Sequence, residues 1–186
     1  MVLAIEKVFV HHYEDLITIF HACFGAEYNT RLVKGDNEPI YLPANKEQNH
    51  HAICFAHGFF SSALHECSHW LIAGEERRKL VDFGYWYAPD GRTAEQQTLF
   101  QQVEVKPQAI EWILSKAAGY RFHISIDNLN GEEADTEAFK KAVYEQVRHY
   151  CSIGLPQRAK HFRDALSAFY QQATVLSADD FSLEEL

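Results

Sequence analysis

Apolar residues return at helical spacing over residues 11–24, where Leu16, Ile17, Phe20, Cys23 and Phe24 form one stripe among polar positions. This predicts an amphipathic first helix. Residues 28–49 break the rhythm: Gly35, Asp36, Asn37, Pro39, Pro43 and Asn45 surround the short apolar piece Ile40-Tyr41-Leu42, which predicts one short strand between loops. The continuous apolar run 52–56, bounded by His51 and by His57-Gly58, predicts a buried strand that leads straight into the next helix. That helix, 60–74, has Phe60, Leu64, Leu71 and Ile72 on its apolar side and Gly74 where a left-handed terminating residue is expected.

Beyond Gly74 the charged run 75–79 reads as a solvated connection. Residues 93–116 read as a long helix with Thr93 as N-cap and Gly119 past its end. Pro107 lies inside it and removes the amide that would bond the carbonyl of Val103, so a kink is expected just after Glu104. Residues 122–126 alternate and predict a third strand, followed by a loop over 127–131. Helices are predicted over 136–153 and 159–172, separated by Gly154-Leu155-Pro156, and the acidic tail 177–186 is expected to fray. The sum is one predominantly helical α+β domain, 1–186, with a core over about 11–172 and a small sheet under the second helix.

Composition narrows the setting. A chain of 186 residues with a hydrophobic fraction of 47%, thirteen phenylalanines, nine tyrosines and three tryptophans can bury a core without staples. No apolar run reaches the length of a membrane span, and residues 1–7 lack a basic segment followed by a long apolar one. A cytoplasmic location and no membrane partner are the expectations. Cys23, Cys54, Cys67 and Cys151 are scattered, which argues against a thiolate zinc knuckle and a disulfide framework. The net charge of −9 disfavours nonspecific nucleic-acid binding and suits a cationic partner.

The chemistry concentrates in the helix 60–74, which carries His65-Glu66-Cys67-Ser68-His69. Two imidazoles four residues apart share one helical face, roughly 5–6 Å apart at Cβ, so both can bind one ion. With a distant carboxylate the pair describes a zinc site, in which Glu66 is the general base of a metallopeptidase. The same donors describe a two-histidine, one-carboxylate iron site that activates dioxygen. Spacing does not separate the two, and a noncatalytic binding module whose histidines only pin the helix is the third reading. Glu104, beside the proline, is the candidate third ligand; Glu111 competes with it. His57, at the strand-to-helix turn, reads equally as a substrate contact and as a turn residue bonded to backbone. Residues 82–92 combine Tyr85, Trp86 and Tyr87 with Asp82, Asp90 and Arg92 ahead of and within a Pro-Asp-Gly turn, which suits either an aromatic hairpin or the wall of a site for a cation. His11, His12 and His21 share no ligand spacing and read as surface histidines.

Six segments carry a more specific signal: Asn29-Thr30-Arg31-Leu32-Val33-Lys34-Gly35-Asp36, Phe55-Ala56-His57-Gly58-Phe59, His65-Glu66-Cys67-Ser68-His69-Trp70, Val81-Asp82-Phe83-Gly84-Tyr85-Trp86-Tyr87, Pro89-Asp90-Gly91-Arg92 and Val103-Glu104-Val105-Lys106-Pro107-Gln108-Ala109. Together they resemble the bacterial elongation factor P hydroxylase family, from about residue 11 to about residue 170. The resemblance implies an enzyme that hydroxylates a lysine side chain of elongation factor P after that lysine has received a β-lysyl group. It implies a metallopeptidase-like scaffold and an iron centre, with zinc as the alternative ion, dioxygen as co-substrate and His65, His69 and Glu104 as ligands. Glu66 would then orient a ligand or move a proton. The electron donor has no signature in the sequence, which holds neither a dinucleotide fingerprint nor a clear 2-oxoglutarate pocket. A doubly aminated side chain would meet Asp82, Asp90 and Asp127 as carboxylates and Tyr85, Trp86 and Tyr87 as rings, with His57 and Arg92 as further contacts.

Overall fold

A computed structural model describes residues 10–82, 91–126, 135–173 and 176–186. Its elements in chain order are α1 (Tyr13–Phe24), β1 (Thr30–Lys34), β2 (Ile40–Leu42), β3 (His51–Phe55), α2 (Phe60–Ile72), a 3-10 turn Arg77–Lys79, α3 (Ala94–Ala118), α4 (Thr136–Ile153), α5 (Gln157–Tyr170) and two short 3-10 turns in the tail. The predominantly helical α+β class expected from the sequence is the one observed.

The sheet differs from the expectation. Its order is β1-β3-β2, with β3 parallel to β1 and antiparallel to β2. β1 was not foreseen among the turn formers of residues 28–49; its partner β3 lies some twenty residues on, so its pairing is non-local, with Thr30 opposite His51 and Lys34 opposite Phe55. The strand expected over 122–126 does not form. Phe122 is buried as a strand residue would be, but the polar backbone bonds go elsewhere: Ser125 donates its N–H to Gln108 Oε1 at 3.0 Å, and its carbonyl accepts from Gln108 Nε2 at 2.8 Å. The carbonyl of Ile126 accepts from Gln97 Nε2 at 2.8 Å. Side-chain amides of α3 stand in for a neighbouring strand.

The core is continuous. Leu16, Phe20 and Phe24 of α1, Phe55 of β3, Leu64 and Leu71 of α2, Ile110, Trp112 and Leu114 of α3 and Phe162 of α5 are almost inaccessible to solvent. α3 sits at its centre, packed on α2, α4 and α5, while the sheet is covered by α1 and α2. α3 begins with a capping box in which Thr93 accepts from the Gln96 amide and the Gln96 side chain accepts from Thr93, and it ends on Gly119 at φ 65°, a left-handed conformation glycine adopts without strain. It runs unbroken through Pro107.

Three further expectations are corrected. α2 stops at Ile72 and Ala73 turns extended; Gly74 is not left-handed, and the last carbonyl is satisfied by arginines described below. His11 is no surface residue: its Nε2 lies 2.8 Å from the carbonyl of Ala118, and its ring packs on Phe60, Tyr120 and Tyr170. The acidic tail does not fray, because Phe181 is buried edge-on against Trp112 and Glu185 pairs with Lys116 at 2.7 Å.

Candidate metal centre

Two helices build the site. α2 presents His65 and His69 from successive turns of one face. α3 presents a seam of buried polar side chains, Gln97, Gln101, Glu104, Gln108, Glu111 and Ser115, whose spacings of four, three, four, three and four keep them on one side of the helix. That seam faces α2 with two carboxylates. Glu104 Oε1 lies 3.2 Å from His69 Nε2 and its Oε2 lies 3.6 Å from His65 Nε2, while Glu111 Oε2 lies 2.8 Å from His65 Nδ1.

These contacts divide the two glutamates. An ionised carboxylate only accepts, so His65 donates Nδ1–H to Glu111 and turns the lone pair of Nε2 toward His69 and Glu104. His65, His69 and Glu104 each offer one ligand atom, and these atoms all lie within 4.8 Å of one another. The donor set fits a first-row divalent ion. The two Nε2 atoms are 3.1 Å apart. That value falls between the roughly 2.9 Å and roughly 3.4 Å expected for two imidazoles sharing one ion at a right or a tetrahedral angle, given metal–nitrogen distances of about 2.0–2.1 Å.

The electrostatics suit a cation. Burial alone would keep His65 neutral, but Glu111, then Glu104 and Glu66, push its pKa up to about 10. Glu104 is 2% exposed, and burial alone would raise its pKa; His69, then His65 and the Gln108 amide, hold it down at about 2. Glu66 moves the other way. Burial raises its carboxyl pKa, against the lowering effect of the two histidines.

A cleft of ≈ 450 Å³, counting the space at its mouth, starts at Glu66 and His69 and continues between Tyr41, Trp70, Arg78 and Asp82. Asp82 is therefore in the cleft wall, bridged through its backbone to Tyr41 and paired with Arg77 at 2.6 Å. Arg92 is placed differently: it is 1% exposed, bonded through Nε to Gln97 and stacked 3.9 Å from the centre of the Phe100 ring. His57 is an exposed left-handed turn residue at φ 56° whose N–H donates to the carbonyl of Asp36. Tyr85, Trp86, Tyr87, Asp90 and Asp127 lie outside the described residues. Sequence reasoning missed the glutamine seam and the part played by Glu111. The signal was legible, since polar residues at a helical period inside an otherwise buried helix mark a polar seam facing another element.

Residues 19–181 match the family model described as elongation factor P hydroxylase. A protein of Haemophilus influenzae named elongation factor P lysine hydroxylase is 62% identical over 173 residues, covering 93% of this chain and 94% of the relative.

Proposed function

Since the chain belongs to the elongation factor P hydroxylase family, we propose that it hydroxylates the β-lysylated lysine of elongation factor P, with His65, His69 and Glu104 as ligands of a ferrous ion. The observation that carries the reading is the convergence of those three side chains while Glu111 is engaged at the far nitrogen of His65. Iron bound there supplies the activation of dioxygen that a saturated carbon requires.

The residues of the chain provide the remainder. Glu111 fixes the His65 ring and its tautomer, and Gln108, 3.4 Å from Glu104 Oε2, restrains the carboxylate. Glu66 borders the cleft and burial raises its carboxyl pKa, which suits that oxygen to exchanging a proton with the site. Trp70 and Tyr41 wall off water, and Asp82 offers negative charge to an ammonium group entering the cleft. The reaction balances when a C–H bond, dioxygen, two electrons and two protons give a C–OH group and water, so a two-electron donor takes part.

The test is the intact mass of β-lysylated elongation factor P after incubation with iron-loaded protein, dioxygen and a chemical reductant. A gain of one oxygen atom on the modified lysine is expected, with Glu66→Gln retaining metal and losing turnover. Peptide cleavage by the zinc-loaded protein with no oxygen gain would replace the hydroxylase reading with a metallopeptidase.

A further inference from the structure

The C-terminus of α2 ends on two guanidinium groups. Arg78 Nη1 donates to the carbonyl of Ala73 at 2.7 Å, and Arg158 Nη2, from the first turn of α5, donates to the same oxygen. Arg158 lies 4.6 Å from the centre of the Trp70 ring and 5.6 Å from that of Tyr28; Arg78 lies 5.9 Å and 5.8 Å from the same two rings. One cation is enough to complement a helix C-terminus. A second in the same half-buried place adds like-charge repulsion, and burial together with Arg78 pulls the Arg158 pKa down to about 10.

Among the described residues neither guanidinium has a carboxylate at ion-pair distance; the acidic groups of the same cleft are Asp82, which pairs with Arg77, and Glu66 at the metal end. One donor is also left over. Arg158 Nη1 is buried without a hydrogen-bond partner, while the Trp70 indole is engaged with the Tyr41 side chain. A buried donor without a partner is costly, so Arg158 Nη1, beside a second guanidinium, calls for an acceptor.

We propose that Arg78, which lines the cleft, and Arg158, which shares the Ala73 carbonyl with it, form the seat of a small carboxylate anion at the end of the cleft remote from Glu66. A guanidinium fork matches the two oxygens of a carboxylate. Carboxylate is favoured over phosphate because the chain carries a net charge of −9 and Asp82 and Glu66 share the cleft, so a singly charged head meets less repulsion than a doubly charged one. Ala73 is one helical turn beyond His69, so the seat and the metal ligands lie along the same helix. The seat goes beyond the hydroxylase reading and does not depend on it.

The test is calorimetric titration of the full chain with succinate, 2-oxoglutarate and inorganic phosphate at fixed ionic strength, before and after removal of metal by chelation. Saturable binding of both carboxylates is expected, at least tenfold tighter than phosphate and surviving metal removal. Arg158→Gln should weaken it at least tenfold with an unchanged circular dichroism spectrum, and Arg158→Lys should rescue little because lysine lacks the fork. Should Arg158→Gln not fold, Arg78→Gln carries the same expectation. Absence of saturable binding, preference for phosphate, binding that vanishes with the metal, or a folded variant that binds as the wild type does would overturn the seat. None of these outcomes bears on oxygen transfer to elongation factor P.

Discussion

Replacing Glu111 by Gln should change the pH dependence of metal binding more than its strength at any one pH. In the metal-free protein His65 keeps its proton until pH rises to about 10. At pH 7 the unprotonated ring is then present in roughly one molecule in a thousand, and displacing the proton costs an ion about 4 kcal/mol relative to pH 10. Log affinity should therefore climb by about one decade per pH unit throughout the neutral range. Glutamine keeps an acceptor for Nδ1–H at the same position but removes the charge. The proton then leaves His65 well below pH 10, so the slope should flatten. The carboxylate also strengthens the ligand, typically by about 10–100-fold, and at neutral pH this opposes its strengthening of the competing proton. The slope is for that reason the diagnostic quantity. Competition against a chelating dye with zinc as probe, at pH values from 6 to 9, measures it. Equal slopes in wild type and variant would refute the assignment of Glu111 to His65, and complete loss of metal in Glu111→Gln would make it a ligand in place of Glu104.

The metal-free protein should be most stable from about pH 4.5 to 6.5. The raised pKa of His65 contributes fully below its ordinary 6.5 and is lost as pH climbs through about 10, whereas the depressed pKa of Glu104 contributes above its ordinary 4.5 and is lost as pH falls through about 2. The His65 shift corresponds to a ceiling of about 5 kcal/mol, and because the same ion pairs enter the Glu104 shift the two are not added. Melting temperature against pH, with chelator present, checks this, and a flat alkaline limb would contradict it. Phe181→Ala removes the ring that seats the tail on Trp112 and should cost about 3–5 kcal/mol, lowering the melting temperature by roughly 6–20 °C; a change under about 1 kcal/mol would mean the tail contributes nothing to the core.

Much of the helical framework was legible in the chain. The stripes of α1, α4 and α5 and the caps Thr93 and Gly119 of α3 are local features, set by residues within a turn or two of each other, and local sterics and hydrogen bonding suffice to read them. The spacing of His65 and His69 is local in the same sense, since a helix puts residues four apart on one face whatever surrounds it. What required the tertiary structure is everything that joins distant segments. β1 needs β3 beside it; residues 122–126 alternate like a strand but meet the glutamines of α3; the tail is acidic and still docks because Phe181 finds Trp112. The division of labour between Glu104 and Glu111 belongs to this class as well. Both sit on one face of α3, seven residues apart, and only the way α2 lies across that face brings one to the Nε2 atoms and the other to Nδ1 of His65. Periodicity determines which residues share a face, and packing alone determines which face meets which atom.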